Sequence, residues 1–299
     1  MRPPAAARLP APVLSSPAQH CLGVLHRTLH EGACVEREVK RALRAGSRDG
    51  VTTAESRAAV ASACFGVCTL RVRLAYMLRH ATRKAEDTPW AAAVPRGRDA
   101  DAALLALWLL HEQAHRAPAG ALERCGLLAG SLGLDPDLVC RLRALRPSDL
   151  PLDRLALVPR LAIEHSLPIV LVRTWARALP EDEVAALARL CNRPGPVTLR
   201  ANVAVGGRDA LRSTLAAAGV DARAGALSPW AVHLGGDRAA WGGGVWALPG
   251  WRAGAFEVQD EGSQCIATAC AAAAGEVALD LCAGNGGKTL ALAAAVGAA

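Results

Sequence analysis

The stretch EVALDLCAGNGGKTLALAA, Glu276 to Ala294, decides how the chain reads. An apolar run ends at Asp280 and Cys282, a loop of small residues follows, and an apolar helical pattern begins after Lys288. The spacing predicts a strand, a glycine-rich turn and a helix. That arrangement brings backbone N–H groups and a helix N-terminus up to a nucleotide-like ligand.

Composition marks the loop as selected. The chain has 34 Lys plus Arg, yet its lysines are Lys40, Lys84 and Lys288, and its asparagines are Asn192, Asn202 and Asn285. In a chain biased towards Ala, Arg, Gly and Pro, residues used against the bias carry more weight. Lys288 and Asn285 both fall in the loop.

Two chemistries compete for CAGNGGKT, residues 282–289. A phosphate-binding G-x-x-x-x-G-K-[ST] loop would need glycine at 282, where the chain has Cys282, and a side chain fits poorly at that tight turn. The other is an S-adenosylmethionine site, whose loop wraps the cofactor by close backbone approach. Gly284, Gly286 and Gly287 permit this because they lack a Cβ.

The neighbourhood favours the second. LPGWRAGAFEVQDEGSQ (248–264), followed after a helix by DLCAGNGGKT, resembles the RsmB/Nop/Sun-type RNA (cytosine-5) methyltransferases. LARLCNRPGPVTLRANV (187–203) is similar to that family's pre-catalytic segment, and SLPIVLVRTWARAL (166–179) to the helix before it. The resemblance implies that Cys282, Ala283, Gly284, Asn285, Gly286, Gly287 and Lys288 contact S-adenosyl-L-methionine. Gln259, Asp260 and Ser263 would then stand beside the cofactor cleft, although Asp260 or Ser263 could equally cap the following helix. Asn285 replaces the family's usual proline, which leaves the loop less rigid.

In that family a cysteine thiolate adds to C6 of cytosine and makes C5 nucleophilic, and the base is reached in flipped or single-stranded form. The family's two catalytic cysteines lie downstream of the loop. None of the ten cysteines here takes their role, so the sequence-based expectation is an incomplete catalytic domain, inactive as this chain.

The formal charge of +7 is unevenly placed. Residues 1–90 hold 14 of the 34 basic and 7 of the 27 acidic side chains, which leaves 20 of each to residues 91–299. A basic helical region suggests a polyanion such as RNA, with Arg71, Arg73 and Arg200 as candidate contacts; a solvated helix face explains the charge as well. By resemblance the partner is rRNA and residues 21–90 belong to a NusB-like RNA-binding domain; RNA binding without catalysis is the alternative function.

The expected fold is multidomain. A tail or leader (1–20) precedes an all-α NusB-like bundle (21–150), an α+β pre-catalytic domain (151–260) and the start of an α/β Rossmann-like methyltransferase domain (261–299). Strands are expected near 197–203, 256–258 and 276–281, and helices at 155–164, 167–178, 181–192, 207–218 and 262–274. Arg200 and Asn202 are expected to lie exposed by strand alternation.

His111-Glu112-Gln113-Ala114-His115 is a literal H-E-x-x-H, but Arg116 and Pro118 end the helix at once, so a solvated helix end is preferred to a zinc hydrolase and no metal is expected. The cysteines form no C-x-x-C pair, which points to a reducing compartment. No membrane span is expected, and a monomer is. The chain reads as cytoplasmic, while an N-terminal segment without acidic residues before Glu31 also suits a plastid or mitochondrial transit peptide.

Overall fold

The computed structural model of the chain describes residues 14–46, 53–82, 96–112, 127–192, 195–236, 241 and 244–297. They form two compact units, Met1–Arg193 and Pro194–Ala299.

The first unit is helical: α1 (Ser16–His30), α2 (Val35–Gly46), α3 (Ala54–Thr69), α4 (Arg71–Ala81), α5 (Arg98–Leu107), α6 (Pro136–Ala144), α7 (Leu157–Glu164), α8 (Ile169–Ala176) and α9 (Glu181–Cys191). Local chemistry sets several starts. Ser15 Oγ accepts from Ala18 N, Thr53 Oγ1 from Ser56 N and Asp135 Oδ1 from Leu138 N, each satisfying a first-turn donor that has no intrahelical partner. The stripe Val60, Cys64, Val67 and Leu74 is fully buried, and burial pushes the Cys68 thiol up to about 12. α5 is buried from Asp101 to Leu107 and continues as a π-helical turn, Trp108–Glu112. That turn seats the fully buried Trp108 on Gly66, where an added Cβ would lie 2.2 Å from the indole Nε1.

A second core, built around Leu161, Val172, Val184 and Ala188, holds α7 to α9 together. Ser166, at φ 53°, turns the chain between α7 and α8. Its buried Oγ accepts from Val72 N at 3.0 Å, so a residue far along the chain caps α4.

The second unit folds a four-stranded antiparallel sheet from β1 (Val197–Ala201), β2 (Ala222–Ala224), β3 (Ala231–Leu234) and β4 (Phe256–Val258), in the order β2-β3-β1-β4. α10 (Gly207–Ala217) packs on the sheet through Leu211 and Leu215, which join Leu199, Val232 and Phe256 in one core. α11 (Glu261–Ala269) packs against β1, and α12 (Gly287–Val296) packs against α11.

Two expectations fail here. Residues 276–281 form no strand. A strand exists only by sharing N–H and C=O groups with a neighbour, and among the described residues nothing pairs with this segment. Its Val277, Leu279 and Leu281 side chains are 100%, 81% and 86% exposed. The helix expected over 262–274 ends at Ala269, before Ala271 at φ 49°. Among the described residues no single helix is long and apolar enough to cross a membrane.

Candidate functional site

Central strand β1 makes the site possible. Thr198, Leu199, Arg200 and Ala201 are all buried, because β3 and β4 flank the strand and helices cover it. Simple alternation therefore misplaces Arg200, which is 7% exposed. Burial lowers its pKa from the ordinary guanidinium value, an effect Glu257 partly offsets. Its Nη1 donates to Gln259 Oε1 and to the Gly287 carbonyl, so one cation ties β1, the segment after β4 and the first turn of α12 together. Such a residue does not present its charge to RNA. Asn202 is half-buried; its Nδ2 donates to Gly254 O and its Oδ1 accepts from Ala204 N.

An exposed cap precedes α11, and polar side chains of its first turn face inward. Asp260 caps the helix, accepting from Gly262 N at 3.0 Å. Glu261 turns back under the β2–β3 connection, accepting from Leu227 N at 2.7 Å and Ser228 N at 3.0 Å, while His233 Nε2 lies 2.8 Å from its other oxygen. The two backbone donors and His233 hold the Glu261 carboxyl below its usual range, against a smaller opposing effect of burial. Gln264, fully buried, donates to Gln259 O and Leu199 O and accepts from Ser228 Oγ. Sequence reasoning passed over Glu261 and Gln264. The available signal was their three-residue spacing on a short helix beside an apolar strand, which puts both on the covered face.

The loop closes on this platform. Asp280 Oδ1 accepts from Cys282 N at 3.2 Å and Oδ2 from Thr289 Oγ1 at 2.8 Å, so one carboxylate staples the start of the loop to the first turn of α12. Gly286 N donates back to Ala283 O at 2.9 Å. Gly284 and Gly286 sit at φ 56° and 81°, backbone that a residue with a Cβ adopts only with strain. The first intrahelical bond is Leu290 N to Gly286 O, so the N–H groups of Gly287, Lys288 and Thr289 lie ahead of it at the positive end of the helix.

Together these elements enclose a half-open cleft of about 310 Å³. Gln259, Asp260 and Ser263 line one side; Cys282, Ala283, Asn285, Gly287 and Lys288 line the other, with Asp280 at the base. Gly284 and Gly286 shape the turn without lining the cleft. The cleft offers backbone donors and the Lys288 ammonium to an anionic group, and two carboxylates, Asp260 and Asp280, to hydroxyl, amino or cationic groups. Val258 and Asp280 also line the cleft, and the sequence pattern assigned neither a place in the site.

Of the other expected RNA contacts, Arg71 is exposed at the start of α4, while Arg73 Nη1 donates to Glu164 O at 3.1 Å and is occupied within its own unit. The exposed cations Arg37, Lys40 and Arg44 instead cluster on α2. His111 Nε2 lies 2.8 Å from Leu142 O, which engages the first histidine of the H-E-x-x-H run; Gln113, Ala114 and His115 lie outside the described residues.

Residues 167–239 match the ferredoxin-like domain of the RsmF/B-like methyltransferases. Over 132 residues the chain is 33% identical to the probable ribosomal RNA small subunit methyltransferase B of Bacillus subtilis (strain 168), an alignment covering 44% of this chain and 28% of that protein. The crystal structure of PH0851 superposes with a TM-score of 0.59 at 15% identity, covering 95% of this chain and 62% of that one, a likeness of fold. The chain thus spans less than two thirds of either relative. Its resemblance to the RsmB/Sun-type methyltransferases holds.

Proposed function

We propose that this chain is part of an S-adenosylmethionine-dependent rRNA methyltransferase acting on C5 of cytosine, and that it supplies the cofactor cleft and an RNA-binding surface. One observation carries the reading: the loop 282–288 and the Gln259–Ser263 segment, far apart in kind and chemistry, line one cleft beside a domain matched to RsmF/B-like enzymes.

The cleft's donor set fits the cofactor. When bound, S-adenosylmethionine supplies an electrophilic methyl group carried on a sulfonium. The loop backbone and the first-turn N–H groups of α12 would receive its carboxylate, and Asp260 and Asp280 would meet its amino, hydroxyl or sulfonium groups. Arg200 touches none of these; it is a positioning residue that fixes Gly287. On this reading the helices within residues 21–150 are the NusB-like RNA-binding domain and residues 261–299 begin a Rossmann-like domain.

C5 of cytosine becomes nucleophilic only after addition at C6, a task for a thiolate. Among the described residues lining the cleft the cysteine is Cys282, an exposed member of the cofactor loop. We therefore assign the 299-residue chain cofactor and RNA binding without methyl transfer. Labelled S-adenosylmethionine and unmodified small-subunit rRNA, incubated with the purified chain, test this. Both should be retained on the protein with no label moving to RNA. Label on RNA would contradict the division of labour, and failure to retain the cofactor would contradict the cleft assignment.

A further inference from the structure

The first unit holds a cluster that the cleft does not use. His26 and His30 stand one turn apart on α1, on the face that packs against α5. Asp101, in the first turn of α5, is 1% exposed and points between them. Its Oδ1 lies 2.8 Å from His30 Nε2, and its Oδ2 lies 3.4 Å from His26 Nδ1. One ligand atom from each residue can be chosen so that all three lie within 4.8 Å of one another.

A simple His30–Asp101 ion pair explains half of this. It leaves Asp101 Oδ2 buried with no hydrogen bond, an expensive state for a carboxylate oxygen. Beside it opens a hollow of about 470 Å³, lined in part by Gln19, His26, Glu31 and Arg98. Glu31 Oε1 is 3.8 Å from His26 Nε2, placed to fix the ring with Nδ1 turned inward. Arg27 also reaches the hollow, but its guanidinium is held by Glu38.

We propose that His26, His30 and Asp101 bind a divalent transition-metal ion of the zinc class, clasping α1 to α5, with Glu31 orienting His26. Two imidazoles and one carboxylate are the donor set such ions take, with a fourth position left to solvent in the hollow. Tetrahedral zinc with bonds of about 2.0–2.1 Å needs ligand atoms roughly 3.4 Å apart, so the cluster closes by a side-chain adjustment of His26, which is half exposed. Magnesium or calcium would require an oxygen-rich site and is excluded by the donors.

The test uses the full chain, zinc by titration calorimetry and cobalt(II) by its visible absorption. One equivalent should bind, with a tetrahedral cobalt spectrum lacking thiolate charge-transfer bands. His26→Ala and Asp101→Asn should each weaken binding by about tenfold or more. His26→Ala removes a partly exposed side chain, so its circular dichroism should match the parent even if Asp101→Asn proves poorly folded. Absence of stoichiometric binding by the parent chain, or unchanged affinity in His26→Ala, would overturn the proposal; a thiolate signature would assign the metal to cysteines instead.

Discussion

Arg200 and Gly287 are joined across 87 residues of sequence by a hydrogen bond from the guanidinium Nη1 to the glycine carbonyl. The bond sets where α12 begins, and therefore where the loop 282–288 sits against Gln259 and Asp260. The buried cation in the sheet thus acts on the cleft without lining it.

Arg200→Ala should leave Gln259 Oε1 and Gly287 O without their donor and destabilise the second unit by about 1–3 kcal/mol. Arg200→Lys keeps the charge but loses the planar guanidinium whose Nη1 donates to both acceptors. Its melting temperature should fall less than that of the alanine variant, while its cofactor affinity should fall by a similar factor. Calorimetry and thermal unfolding on both variants check this; unchanged affinity in Arg200→Lys would show that the loop does not depend on the bond.

Glu261 gives the second unit an acid limit. Its folded-state pKa lies below the ordinary value, so its contribution to stability is present above the unfolded pKa of about 4.3 and is lost as pH falls through the folded pKa. Denaturant midpoints measured between about pH 3 and 6 should drop at the acid end in the parent chain. Glu261→Gln should flatten that limb, at the cost of lower stability near neutral pH.

In the first unit, Gly66 is required by its neighbour. A methyl group there meets the indole of buried Trp108, so Gly66→Ala should cost about 1–3 kcal/mol through overpacking despite alanine's better helix propensity. Trp108→Phe, which frees space beside position 66, should recover part of that loss in the double variant. Additive unfolding energies would show that the two positions do not meet.

RNA binding, if it uses α2, should be steeply dependent on salt. Lys40→Ala with Arg44→Ala should reduce the slope of log K against log salt by roughly 1.5 to 2, while Arg73→Ala should change it little because that guanidinium serves Glu164. Filter binding across a salt series distinguishes the two sets.

Much of the architecture was legible in the sequence. The helices over 155–192, the strands at 197 and 256, and the helix at 207 follow from apolar periodicity and from turn residues at their ends. The loop 282–288 was legible because lysine and asparagine are scarce in this chain. Alternation failed at Arg200, since it assumes one wet face and β1 has none. It failed again at 276–281, where Val277, Leu279 and Leu281 alternate as a strand should, but pairing is a property of neighbours and not of a segment. The His26–His30–Asp101 cluster was invisible because its third member lies 71 residues from the second and meets it only when α5 packs on α1.

The most direct test of the central claim is calorimetric titration of S-adenosylmethionine into the full chain and into Gly286→Val. The parent should bind one equivalent. The variant, whose branched side chain resists the φ of 81° that shapes the loop, should lose binding while the first unit unfolds as before. No binding by a folded parent chain, or equal binding by both, would contradict the assignment of the 282–288 cleft to the cofactor.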